Sequence, residues 1–262
     1  MQQVQQHPLL IQRRVIFALF ARELKTRFGK WRLGYAWAVL EPAAHIVVLT
    51  IIFSFGFRYS PPGIDFPVFL TTGIVPFLLF SHCLSSGMKA VDSNRGMFNY
   101  RFVKPIDTVI ARILLEAFVS FGAYICLLTI MGVFLGYDVP VNNIVGIVSV
   151  FAIFVPLCFA AGLIACVLGC LFPETQKALP LINRPLYFVS GIFFTTERLP
   201  EELLTYLLWN PLLHVIELQR AAFFPNFVTI GTSYQYLFGF TLVSLALALA
   251  LYRAYRYRLV TL

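Results

Sequence analysis

Six apolar blocks, at residues 36–57, 66–88, 108–135, 143–172, 179–196 and 233–252, dictate what this chain can become. A hydrocarbon core about 30 Å thick is crossed by about 20 helical residues, and the backbone inside it must satisfy its own hydrogen bonds. The two longest blocks must tilt or overhang. Pro180 and Pro185 interrupt the fifth block, which reads as a broken or tilted span. With 59% hydrophobic and only 12% charged residues, the chain lies outside the range of soluble domains. The expectation is an all-α, polytopic membrane protein: one transmembrane domain over residues 1–262 with six spanning helices.

The cations orient it. Arg13, Arg14, Arg22, Lys25, Arg27, Lys30 and Arg32 precede the first block, and Lys89, Arg95, Arg101 and Lys104 separate the second from the third. Lys177 and Arg184 follow the fourth, and Arg253, Arg256 and Arg258 follow the sixth, while the alternate loops hold only Arg58, Arg198 and Arg220. By the positive-inside rule both termini face the cytoplasm. The net charge of +8 is then a topology signal and an attraction to anionic lipid, and the scatter of cations over separate loops argues against nucleic-acid binding. Cys83, Cys126, Cys158, Cys166 and Cys170 form no CxxC spacing and read as small packing residues rather than a disulfide or metal framework. "RRVIFALFA" (13–21) has an apolar stretch too short for a cleaved leader.

Residues 9–33 carry Phe17, Phe20, Leu24, Phe28 and Trp31 at three- and four-residue spacing, which predicts a basic amphipathic helix lying in the headgroup layer. Gly29 and Gly34 let the chain turn from it into the membrane. Glu41-Pro42 follows inside the first block. Either the span starts near Pro42 or Glu41 is an intramembrane acid, paired with a basic neighbour or acting in a pathway. Residues 89–104 are too polar to cross and suit a short helix, with Asp107 as the N-cap of the next span. Arg112 and Glu116 sit four apart and are expected to pair on one helical face, and Gly132-x-x-x-Gly136 is a weak helix-packing signal. Residues 199–224 contain two short amphipathic segments divided by Asn210-Pro211, too short to span, which suggests an outer hairpin that dips into the membrane and returns.

The chemistry of an ATPase is missing: Gly29 to Gly34 has the glycine spacing of a phosphate loop, but Tyr35-Ala36 stand where Lys-Ser/Thr belong. His7, His45, His82 and His214 are isolated, no acid cluster suits a metal-dependent transferase, and no ladder of intramembrane acids suggests a proton relay. Energy for any transport must come from a partner.

Against this background, six stretches carry a family likeness: "RFGKWRLGYAWAVLEPAAH" (27–45), "FPVFLTTGIVPF" (66–77), "GMFNYRFVKPIDTVIARILLE" (96–116), "FPETQKALP" (172–180), "RPLYFVSGIFF" (184–194) and "YLLWNPLLHVIELQR" (206–220). In this order they resemble the KpsM-type inner-membrane permeases of group 2 capsular polysaccharide exporters, within the ABC-2 transporter superfamily. Arg184 stands where lysine is expected, which keeps the charge, and residues 138–153 and the last ten fit least distinctively.

The resemblance implies a bacterial inner-membrane permease that is not itself an enzyme. Two copies would pair with two copies of a cytoplasmic ABC ATPase, which carries ATP and Mg, so no cofactor or metal is expected on this chain. The cargo would be a lipid-linked acidic capsular polysaccharide, passed to a periplasmic adaptor and an outer-membrane export protein. On that reading Arg27, Lys30 and Arg32 form a cationic entrance, with Tyr35 and Trp37 as stacking faces. Glu41, Arg112 and Glu116 are the intramembrane polar residues. Asp92, Asn94, Arg95 and Phe98 couple to the ATPase, and Tyr206, Trp209 and His214 border the exit. A polytopic enzyme acting on lipid-linked sugars and a secondary transporter are the alternatives; the missing acidic motif argues against the first. The lack of an internal repeat or coupling-ion site argues against the second.

Overall fold

Prolines and small polar caps decide where the helices start. A computed structural model describes residues 8–29, 34–54, 61–100 and 102–261; Lys30, Trp31 and Arg32 lie outside the described residues, as does Arg58. Helix α1 (Pro8–Phe28) is followed by α2 (Gly34–Ser54), α3 (Phe66–Met88) and a 3₁₀ helix at Asp92–Asn99. Next come α4 (Pro105–Thr129), which runs on through a π-turn to Phe134, and α5 (Ile144–Leu171). The chain ends with α6 (Thr175–Val189), α7 (Glu201–Leu207), α8 (Pro211–Phe223), α9 (Tyr234–Tyr255) and α10 (Arg258–Thr261). Pro105 and Pro211 open α4 and α8, where a missing N–H costs nothing. Asn143 and Asn210 cap α5 and α8 by accepting from Gly146 N at 2.9 Å and Leu212 N at 3.0 Å. Asp107 is not the cap expected of it. With proline at the first helical position, Lys104 takes the cap position, and the Asp107 carboxylate reaches back to accept from Lys104 N at 2.9 Å.

Among the described residues, five helices are long and apolar enough to cross a membrane: Ala36–Phe53, Phe66–Met88, Pro105–Phe134, Ile144–Leu171 and Tyr234–Tyr255. The fifth expected span is the exception. Residues 179–196 give α6, which ends at Val189, and then a non-helical stretch that turns at Gly191, φ +82°. Pro42 lies inside α2, so the first span does not begin there. Gly136 is non-helical at φ +70°, which removes the glycine pair at 132 and 136 as a helix-packing motif.

The centre is α5, which packs on α3, α4, α8 and α9. At the α3–α5 crossing Gly87 meets Gly162 so closely that a Cβ on Gly87 would lie 2.5 Å from the Gly162 carbonyl oxygen. Only glycine permits this approach. Cys83, Cys158 and Cys166 are buried free thiols in this core, in keeping with a packing role.

Helix α8, expected to be amphipathic, is buried on every side from Leu212 to Arg220. It packs against α3, α5 and α9 rather than along a surface. A buried helix carrying Glu217, Gln219 and Arg220 must find a partner for each. Gln219 donates to the Tyr124 hydroxyl at 2.7 Å. Glu217 accepts from Thr196 N at 3.2 Å and Thr196 Oγ1 at 2.7 Å. Arg220, 0% exposed, donates to the carbonyls of Gly191 (2.6 Å), Ile192 (2.9 Å), Phe194 (3.2 Å) and Phe69 (3.3 Å), and to Thr72 Oγ1 (3.3 Å). Its guanidinium carbon also lies 3.7 Å from the Phe69 ring centroid, and Glu217 lies at 3.4 Å. Burial lowers the Arg220 pKa to about 10 and raises that of Glu217; the guanidinium keeps its charge at neutral pH.

One side chain therefore satisfies the carbonyls that the broken fifth block leaves outside any helix. R220M removes that service and leaves Glu217 buried without its counter-ion, so unfolding in detergent should lose about 3–5 kcal/mol of stability. Thermal scans of purified protein check this. The E217Q/R220M double variant should not recover, because the carbonyls of 191, 192 and 194 stay unpaired; full recovery would show that only charge balance mattered.

Candidate functional site

Helix α1 lies along α4, and its polar residues face the end of the bundle where the cations collect. Arg22 donates to the side-chain oxygen of Asn94, and Asn94 Nδ2 donates to Glu23 Oε1 at 3.2 Å and to Ala90 O at 2.8 Å. Arg112 Nε reaches the same Glu23 oxygen at 3.2 Å, and its Nη1 donates to Ser86 O at 3.1 Å. Arg27 pairs with Glu116 at 2.6 Å, and Ser86 Oγ donates to the same carboxylate. Gln12 reaches Asp107 from the other end of α1. Glu23 thus joins α1, the 3₁₀ helix and α4 at one carboxylate.

A second chain of contacts enters the bundle. Glu41 on α2 meets His82 on α3 at 3.2 Å, and His82 Nδ1 lies 4.0 Å from Glu116 Oε2, an atom with no hydrogen-bond partner among the described residues. Glu23, Arg27, His82, Arg112 and Glu116 border an open cavity of about 400 Å³, together with Thr26, Ser85, Ser93 and Lys89. Its walls mix cations, hydroxyls and two engaged carboxylates. That set can hold charged, hydroxyl-rich groups by ion pairing and hydrogen bonding.

The expected pairing of Arg112 with Glu116 does not form. Each turns instead to α1, to Glu23 and Arg27, because an ion pair between two helices satisfies both the bundle and the helix lying on it. Glu41 has a basic neighbour, His82, from another apolar block. Arg27, Trp37, Glu41 and His82 share a small pocket, with Trp37 exposed. The side chain of Tyr35, like Lys30 and Arg32, is outside the described residues. The aromatic stripe of α1 is divided: Phe28 is buried and Phe20 packs edge-on to Phe118 at 6.1 Å, but Phe17 is exposed.

In the 3₁₀ helix, Asp92 and Arg95 are exposed and pair at 2.9 Å, while Phe98 is partly buried against the core. Asn94, 2% exposed, is turned inward to α1. At the opposite end Tyr206 and Trp209 are 78% and 77% exposed. His214 is buried: its Nε2 donates to Leu208 O at 2.9 Å and its Nδ1 accepts from Ser233 N at 3.0 Å. Sequence reasoning missed Glu23, His82 and Arg220. The available signal was that an ionisable group in an apolar block requires a partner, which makes Glu41 and His82 candidates for each other.

The chain belongs to the ABC-2 type transporter family, which it matches over residues 14–224. Among curated proteins it is 46% identical, over 93% of this chain and 94% of the relative, to the polysialic acid transport protein KpsM of Escherichia coli. It is 30% identical to the capsule polysaccharide export inner-membrane protein CtrC of Neisseria meningitidis serogroup A, over 92% of this chain and 91% of the relative. The capsule polysaccharide export inner-membrane protein BexB of Haemophilus influenzae is 26% identical over 93% of this chain and 91% of its own. The all-helical fold with several apolar helices and the family agree on a membrane transporter permease.

Two outcomes test this geometry. E23A removes the carboxylate shared by Arg112, Arg22 and the Asn94 amide, so it should cost about 1–3 kcal/mol and expose α1 to trypsin at Lys25 and Arg27. The E23R/R112E exchange should recover part of both. His214 supplies the second. Burial holds its pKa below the ordinary histidine value, so its contribution is present above that value, about 6.5, and is lost as pH falls through the folded one. Melting temperature should decline on acidification below about pH 6.5, and the decline should be smaller in H214Q.

Proposed function

We propose that the chain is the membrane-spanning permease subunit of an ATP-driven exporter in the bacterial inner membrane. Its cargo is an acidic, lipid-linked capsular polysaccharide carried from the cytoplasm toward the periplasm. The observation that carries this reading is the 46% identity, along nearly the whole of both chains, to a polysialic acid transport protein. The cation-rich end is the cytoplasmic one, with both termini there; with five long spanning helices this requires the broken segment of α6 and residues 190–196 to carry the chain across once more. ATP and Mg belong to a separate cytoplasmic ATPase, present like the permease in two copies. A periplasmic adaptor and an outer-membrane protein continue the path.

Two copies suit the shape, since α2 and α6 leave apolar faces uncovered. In the mechanism that follows, the ATPase docks on Asp92–Asn99. Its movement passes through Asn94 to Arg22 and Glu23, which shifts α1 against α4. The second chain, Arg27 to Glu116 to His82 to Glu41, carries the shift to α2. Arg27, with Lys30 and Arg32, gathers anionic headgroup or glycan at the cytoplasmic rim, Trp37 lies beside it, and α7 and α8 form a re-entrant hairpin whose exposed Tyr206 and Trp209 border the exit.

An affinity-tagged permease should copurify an ATPase from its own bacterium, and a Walker-motif variant of that ATPase should abolish polysaccharide export. D92A/R95A removes the exposed pair of the docking helix without touching the buried contacts of Asn94. It should insert normally, retain the thermal stability of the parent to within about 0.5 kcal/mol, and lose most export. Normal export by a correctly inserted double variant would remove Asp92–Asn99 from the coupling path.

A further inference from the structure

Helix α6 has no buried residue, although it belongs to an apolar block. Pro180, Asn183, Arg184, Tyr187 and Phe188 recur at three- and four-residue spacing and border one cleft of about 350 Å³, closed on the other side by His45 of α2 and Phe77 of α3. That volume lies within the range of about 300–1,000 Å³ typical of small-molecule sites. Leu181 and Ile182 project from other sides of the helix and are exposed, as lipid-facing residues are.

The cleft wall is built of rings held in place by other rings. Tyr187 stacks on His45 with centroids 5.4 Å apart, and its hydroxyl lies 3.2 Å from His45 Nε2. Phe77 meets Tyr187 edge-on at 4.9 Å, and Phe193 does so at 5.4 Å. Phe188 stacks on Phe193 at 5.7 Å and is 64% exposed, so one face of a fixed aromatic platform is open. Beside it Asn183 donates to Ser81 Oγ at 2.5 Å, which ties α6 to α3, and its amide oxygen is buried. Arg184 is exposed and makes no ion pair among the described residues.

Arg184 lies nine residues beyond Thr175, about 14 Å along the helix axis. Asn183 and Arg184 border the cleft rather than the apolar sides of the helix. A fixed apolar ring face and a guanidinium on one wall match two surfaces of an acidic sugar: its C–H face and its carboxylate. We propose that this cleft is a subsite for one carboxylate-bearing sugar residue of the polymer, stacked on Phe188, with its carboxylate at Arg184. The subsite rests on the export reading above and says where within the permease the glycan is held.

The test uses the full-length permease, returned to its parent bacterium after deletion of the chromosomal copy, and the same proteins purified in detergent. The binding probes are a sialic acid hexamer and the same hexamer with its carboxyls reduced to alcohols. R184Q should weaken the acidic hexamer by about tenfold or more, the worth of a charge-assisted hydrogen bond, and leave the reduced one unchanged. F188A should weaken both alike, and both variants should lower surface polysaccharide. If the wild-type chain restores surface polysaccharide and R184Q and F188A restore it equally while binding the hexamer like wild type, the subsite is overturned and the export reading stands. If native mass spectrometry finds a dimer for the wild-type chain and only a monomer for the variants, a second copy occupies the cleft, and the subsite is again overturned. A wild-type chain that restores nothing overturns the export reading, and the subsite with it.

Discussion

A backbone carbonyl in a dry interior needs a donor, and the far half of this protein is arranged around one guanidinium that supplies several. The segment after α6 leaves its helix at Ser190 while still packed in the bundle. In hydrocarbon such irregular backbone survives only where protein covers and pairs it. Arg220 does both, donating to Gly191, Ile192 and Phe194. Its position fixes where α8 can lie, and α8 in turn holds the loop before α5, since Asn142 N and Asn143 N donate to Phe223 O at 3.1 Å and Ala222 O at 2.9 Å. Glu217 extends the same unit to Thr196, whose hydroxyl accepts from Ile230 N at 2.9 Å. Arginine is required rather than lysine, because only a planar fork presents donors in several fixed directions.

The broad architecture was legible because hydrophobic length is read directly: five of the six apolar blocks became helices long enough to cross. The fifth gave a shorter helix and a break, as a broken span would, but where it breaks is visible only in three dimensions. Pro180 and Pro185 did not end the helix, since both lie within α6. What ends it is the availability of Arg220, which lets the chain abandon helical hydrogen bonds at Ser190 without stranding its carbonyls. Periodicity can mark a proline as a breaker, but it cannot show that a residue thirty positions away accepts the broken bonds.

The charged site was half legible for a related reason. Counting cations along loops finds topology, and it placed Arg27 and the 89–104 loop at one end of the bundle. It treats each charge as a separate object, however, and α1 lying on α4 makes the charges partners. Arg112 and Glu116 had the spacing of an intrahelical pair, worth only about 0.2–0.5 kcal/mol. Part-buried partners on another helix compete easily with that, and the structure shows Glu23 and Arg27 doing so. The same step explains Asn94, a polar residue in a polar loop that is nonetheless buried, because Arg22 and Glu23 together use both ends of its amide.

The two ends of the protein use ion pairs differently, and the difference bears on motion. At the far end Arg220 and Glu217 are wholly enclosed and bound mostly to backbone, so neither can change partner without exposing unpaired groups on several elements. That unit can shift only as a body. At the cation-rich end Glu23 is shared among Arg22, Arg112 and Asn94, and the pairs are open in part to water. Water can cover for a partner that leaves, so an exchange there is cheap. Under the proposed coupling, movement driven from the 3₁₀ helix would be taken up by re-pairing along α1 and would reach the far end as displacement of an intact block.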